Sequence, residues 1–121
     1  MPFAPVQSLR LIGVWDAGVP NRERVALRVL RRCDLENYAL ITGLRTNDGF
    51  VPEDSGAYWF DAMLVEPGTW VIVYTGRGQT RHSTMRGSGA PAIVLHWGAT
   101  QTLFGPPLRR PALVHINRMS T

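Results

Sequence analysis

The sequence predicts an all-β fold in a single domain, an antiparallel sandwich or barrel of seven or eight short strands. Three observations carry this. Short runs of β-branched and aromatic residues recur along the chain, such as Val71-Ile72-Val73-Tyr74 and Ile93-Val94-Leu95-His96. Turn chemistry separates them, clearest in Glu66-Pro67-Gly68, where proline presets φ at about −65° and glycine accepts positive φ. No stretch holds a helical period strongly enough to displace these strands.

Residues 7–14 alternate and form the first strand, ended by Gly13 and the turn Trp15-Asp16-Ala17-Gly18. Residues 24–31 put Val25, Leu27 and Val29 on one face and Arg24, Ala26 and Arg28 near the other. A helix capped by Asn21 competes there, but period two fits the short run better. Asp34-Leu35-Glu36-Asn37 is a turn, and residues 38–42 form a central strand, apolar on both faces. Residues 45–56 read as a long polar connection carrying an Asp48-Gly49 turn signal.

Residues 58–74 then read as strand, tight turn, strand: the hairpin that organises the rest. Residues 76–91 form a glycine-rich loop holding Arg77, Arg81 and Arg86. Residues 92–97 are again strand, and residues 100–104 an edge strand stopped by Gly105-Pro106-Pro107. Residues 112–117 close the fold.

A chain of 121 residues is large enough to bury one core without metal or disulfide. Its 45% hydrophobic and 18% charged residues belong to the soluble globular class. No apolar run approaches the roughly 18 residues of a membrane span, and no basic-then-apolar leader opens the chain. Cys33, the only cysteine, allows no intrachain disulfide, so the expectation is a cytoplasmic protein without membrane contact. Net charge is +4, and every cationic side chain is arginine. Guanidinium forks bind carboxylate and phosphate in bidentate fashion, which favours an acidic partner.

From Tyr58 onward the order of features resembles the lamin tail domain. The residues that carry the likeness are the aromatic strand ending at Phe60, Val65-Glu66-Pro67-Gly68, and Val71-Ile72-Val73-Tyr74-Thr75-Gly76-Arg77-Gly78. His96-Trp97-Gly98 and Leu113-Val114-His115-Ile116 continue it. The family's Trp-Asn-Asn-like turn and Gly-Asp are replaced here by residues 103–111, with Phe104 standing in for the aromatic. The resemblance covers the second half of the chain and implies an antiparallel immunoglobulin-like β-sandwich. Domains of that family are mostly interaction modules without catalytic residues, so it also implies binding rather than chemistry.

The residues themselves offer little chemistry. No Gly-x-Ser-x-Gly elbow occurs, and His82-Ser83 are loop neighbours. Cys33, His82, His96 and His115 are scattered, so no zinc site and no cofactor is expected. If the last two long strands pair, His96 and His115 make a two-ligand site; otherwise they are hydrogen-bonded sheet residues. Cys33, between Arg32 and Asp34, is expected to be a passive thiol. Glu53-Asp54, near Asp48 and Asp61, lack a third oxygen ligand at a recognisable interval.

Arginine clusters are the stronger signal. Arg77, Arg81 and Arg86 sit among glycines whose N–H groups can approach a phosphate, the alternative being a solvated loop. Arg28, Arg31 and Arg32 form a second cluster, with Arg22 and Arg24 just before, and Arg109-Arg110 a third. Trp15, Trp59, Trp70 and Trp97 serve either as a stacking platform or as core, with Trp70 and Trp97 expected in the core.

The expected function is therefore a non-catalytic interaction module that binds a protein or self-associates, using edge strands such as Leu103-Phe104. The second reading is a nucleic-acid binder using Arg77, Arg81 and Arg86 with the face of Arg28, Arg31 and Arg32. The third is a small hydrolase using His96 or His115.

Overall fold

The computed structural model describes residues 7–117 and 119–121. Residues 1–6, including the stretch read above as lacking a leader pattern, lie outside them. The described chain is all-β, with ten strands and one 3-10 turn. In order these are β1 (Leu9–Trp15), β2 (Arg24–Val29), β3 (Cys33–Asp34), the 3-10 turn Leu35–Asn37, β4 (Tyr38–Thr46) and β5 (Gly49–Trp59). There follow β6 (Leu64–Val65), β7 (Trp70–Tyr74), β8 (Arg81–Thr84), β9 (Pro91–His96) and β10 (Arg109–His115). The excess over seven or eight comes partly from β3 and β6, two-residue strands that pair only with each other.

A five-stranded sheet runs in the order β1-β2-β7-β9-β8, and a three-stranded sheet in the order β10-β4-β5. The expectation of wholly antiparallel pairing is corrected at one place: β7 and β9 are parallel. The chain leaves β7, passes out to the edge as β8, and returns as β9 between the two. Residues 75–90 supply the length of about a dozen residues that a parallel connection needs.

Period two explains the core. Val25, Leu27 and Val29 on β2, Val71 and Val73 on β7, and Ile93 and Leu95 on β9 all point inward and are buried. They meet Tyr38 and Leu40 of β4, together with Leu35, Phe60, Val65, Leu103 and Phe104. Each buried aliphatic side chain contributes on the order of 1.5–3 kcal/mol. The result is sandwich-like, with two layers around one cluster.

Three sequence expectations change. Residues 58–74 are not a hairpin, because Tyr58 and Trp59 end β5 in one sheet while β7 lies in the other. The Glu66-Pro67-Gly68 turn instead tucks against β2: Gly68 N donates to Val29 O at 2.9 Å, and Val29 N to Thr69 O at 2.9 Å. Gly68 takes φ 88°, as that turn requires. Residues 45–56 are no long connection but the tips of β4 and β5, closed by a tight turn in which Thr46 Oγ1 donates to Gly49 O at 3.1 Å. Residues 100–104 form no strand. Leu103 and Phe104 are buried, and their amide groups are held by a side chain 80 and 81 residues away, so they present no edge for pairing.

Candidate functional site

The outer face of the five-stranded sheet follows from the same alternation that builds the core. Register places its outward residues in three rows across the strands. The first is Trp15, Arg24, Tyr74, His96. The second is Gly13, Ala26, Ile72, Val94, Arg81. The third is Arg10, Arg28, Trp70, Ala92, Ser83.

The first row is a stack. The Arg24 guanidinium carbon lies 5.4 Å from the centre of the Trp15 ring and 5.6 Å from that of Tyr74. Tyr74 in turn stacks on His96, centroids 5.5 Å apart and planes at 18°. Arg24 Nη1 donates to Asp16 Oδ2 at 2.7 Å, and that bond holds the Asp16 carboxyl below its usual range. In the third row Arg28 sits over Trp70 at 5.0 Å, and Trp15 leans across to Trp70 at 5.8 Å. Such cation–π contacts contribute roughly 0.5–1 kcal/mol each at exposed sites.

The middle row is short and apolar as far as Val94, so it forms a floor that ends at Arg81. Ala26, Ile72 and Val94 are buried beneath the flanking rings and make a second cluster, separate from the core between the sheets. Over Ile72, Ala92 and Val94 runs a groove of about 310 Å³. Trp15, Arg24 and Tyr74 wall it on one side, and Arg81, Ser83, Met85 and Arg86 on the other.

His96 closes the end of the first row. Gly78 passes so near its ring that a Cβ there would collide with Nε2. His96 Nδ1 is buried and has no partner among the described residues. Burial, then the charge of Arg81, lowers the His96 pKa.

Charge is unevenly divided. Among the described residues Arg10, Arg28, Arg81 and Arg86 form no ion pair. Arg31, Arg45, Arg77 and Arg110 form none elsewhere, whereas Arg32 Nε meets Glu66 at 3.1 Å and Arg109 Nε meets Glu53 at 2.9 Å. Asp16 alone is placed by an ion pair beside the stack, shared between Arg24 and Arg22.

The six arginines singled out by sequence therefore do not gather. Arg28, Arg81 and Arg86 belong to this face, the last two from the region read as a loop, where β8 adds an exposed edge strand. Arg77 instead lines a separate cleft of about 450 Å³ with Pro20, Asn21, Gly76, Thr100 and Gln101. Arg31 and Arg32 lie beyond the end of β2, where the chain turns towards β3; Arg31 N donates to Ser8 O at 3.2 Å. Trp97 packs against the inner core as expected, but Trp70 belongs to the outer face.

Histidine chemistry does not converge either. His96 lies on β9 and His115 on β10, in different sheets, and His115 stacks on Tyr38 at 4.7 Å. No group of three or more His, Cys, Asp or Glu side chains suited to a metal occurs among the described residues. Burial, followed by the charge of Asp34, pushes the Cys33 thiol up, which keeps it protonated at neutral pH.

One residue that sequence reasoning passed over holds the site's frame. Glu23 is fully buried, and its carboxylate accepts from Gly18 N at 2.6 Å, Thr75 Oγ1 at 2.8 Å, Leu103 N at 2.6 Å and Phe104 N at 3.1 Å. It ties three distant segments together immediately beside Arg24. No protein-family model matches this chain, and neither does any curated protein or solved structure.

Proposed function

We propose that the chain is an immunoglobulin-like β-sandwich of the lamin-tail kind that works as a non-catalytic interaction module, docking an acidic macromolecule on the outer face of the five-stranded sheet. One observation carries this reading: Arg81 and Arg86 border an apolar groove and Arg28 stands on the same face, none of the three in an ion pair among the described residues, while Arg24, the groove's other arginine, is paired with Asp16. An arginine without a partner near a desolvated apolar floor attracts anions more strongly than one in bulk water. The family resemblance adds support from the sequence side.

The test is anisotropy of fluorescein-labelled polyglutamate and of labelled heparin, titrated with the protein at low and high salt. Binding that weakens with salt, and falls about tenfold or more in the Arg81→Glu/Arg86→Glu double variant, supports the reading. No binding of either polyanion at low salt removes it.

A second reading, self-association, is favoured by a different surface. On the outside of the three-stranded sheet, Val114, Ala39 and Trp59 form one cross-strand row and Ala112, Ile41 and Ala57 the next. Trp59 is 57% exposed there. Light scattering across a concentration series tests it: a dimer abolished by Trp59→Arg supports it, and a monomer at every concentration excludes it.

A further inference from the structure

We infer that the acidic partner is a single-stranded nucleic acid, with bases lying along the apolar groove and phosphates held by the arginines that border it. The inference rests on the binding face proposed above and goes further by naming the partner's chemistry.

The argument is one of matching repeats. The face alternates along the strands, each row crossing the sheet: a row with guanidinium and rings, a row of small apolar side chains, and a row with guanidinium and ring again. Each nucleotide likewise pairs one flat, apolar-faced ring with one anion. Ile72 and Val94 offer a floor for the ring, and Trp15, Tyr74 and Met85 offer walls. The edges of the Trp15 and Tyr74 rings stay available to a base lying on that floor, although their facing surfaces are filled by Arg24.

Cations stand on both sides of this lane. Arg81 and Arg86 rise from β8 and the turn after it, and Arg28 from β2. Three inter-strand steps separate β8 from β2, about 14 Å, so Arg28 and the β8 pair meet non-adjacent phosphates of a strand laid across the sheet. An acidic peptide satisfies the same arginines but leaves the floor and rings uncovered unless its sequence happens to supply aromatic residues at the same interval. A duplex hides its bases in the stack and brings only phosphates. Single strands bound through stacking and arginine are sequence-tolerant, which suits a groove with no buried hydrogen-bonding group on its floor.

The experiment compares three labelled probes at low salt by fluorescence anisotropy: an oligothymidine, an abasic oligonucleotide of equal phosphate count, and an acidic peptide of equal charge. The expected order places oligothymidine about tenfold or more ahead of the abasic strand. The slope of log K against log salt should be roughly −2 for the strand, as three phosphate contacts give. Arg81→Ala/Arg86→Ala should weaken both strands and flatten that slope. Trp15→Ala should reduce the advantage of the bases, weakening oligothymidine more than the abasic strand. Quenching of wild-type tryptophan fluorescence by oligothymidine but not by the abasic strand is the readout that needs no variant.

Equal binding of the two strands overturns this inference and leaves the anion-binding face standing. Tighter binding of the acidic peptide than of oligothymidine overturns it in favour of a protein partner. Absence of binding by all three probes overturns the inference and the face together.

Discussion

The two outer faces of this molecule obey the same alternation and end with opposite chemistry. Outside the three-stranded sheet, the rows Val114–Ala39–Trp59 and Ala112–Ile41–Ala57 are uncharged. Outside the five-stranded sheet, every apolar row is bordered by arginine, and the rings carry guanidinium groups on their faces. Strand periodicity therefore sets which residues point out, but not what the surface is for. The difference comes from the residues at the outward positions: β2 places Arg24 and Arg28 there, where β4 places Ala39 and Ile41. A face with both rings and unpaired cations attracts anions, and one with bare apolar rows attracts its like.

The comparison breaks most completely at Glu23, since the arginine face depends on a buried carboxylate that the apolar face does without. Glu23→Ala strands the amides of Gly18, Leu103 and Phe104 inside the protein and leaves the Thr75 hydroxyl only the backbone oxygen of residue 23, at 3.4 Å. A buried donor without a partner costs about 1–3 kcal/mol, so the expected loss is roughly 3 kcal/mol or more, read as a lower urea midpoint. Thr75→Val removes one donor and leaves the carboxylate three, so its loss should be much smaller. Equal losses for the two variants would show that the carboxylate does not work as a clamp.

How far all this was visible in the sequence depends on the residue. The alternation of Val25, Leu27 and Val29 against Arg24 and Arg28 was legible, because one face of β2 is aliphatic and the other is not. β7 was legible as a strand but not in its facing. Trp70-Val71-Ile72-Val73-Tyr74 is apolar throughout, as central strands covered on both faces are, so nothing in it says that Trp70 looks outward. β8 was not legible at all: Arg81-His82-Ser83-Thr84 is an exposed edge with no apolar side chain to mark it. Glu23 sits among arginines and reads as one more surface charge until the fold brings residues 80 and 81 positions away onto its oxygens.

Gly78 sharpens the comparison at the scale of one methyl group. Gly78→Ala drives a Cβ into the His96 ring, which is already stacked on Tyr74. Either the ring leaves the stack or the loop after β7 lifts away. Overpacking of this kind costs roughly 1–3 kcal/mol. The effect should appear as a lower melting temperature and as altered His96 and Tyr74 ring shifts by NMR, with β4, β5 and β10 resonances unmoved. A change spread across both sheets would mean that the two faces are not independent.

Arg28 measures the stack more gently. Arg28→Gln keeps much of the side-chain length and removes the cation over Trp70. The expected cost is roughly 0.5–1 kcal/mol of stability, with a shift in the emission of the outer-face tryptophans. Arg32→Gln provides the contrast, since it gives up only an exposed ion pair with Glu66 and should move the urea midpoint less.

The smallest effect is the dependence on pH, and its sign follows from the surroundings of His96. Burial and the neighbouring Arg81 lower the pKa of His96 in the folded protein below its ordinary value of about 6.5. Between that lowered value and about 6.5 the unfolded chain binds more protons than the folded one, so stability rises with pH through this window. Above about 6.5 the contribution is fully present. As pH falls, it is lost progressively until the folded state also takes up the proton. His96→Gln should flatten the urea midpoint between pH 7 and the acid side. A slope that survives His96→Gln would move the titration elsewhere. It would leave the unpartnered Nδ1 without a part in acid sensitivity.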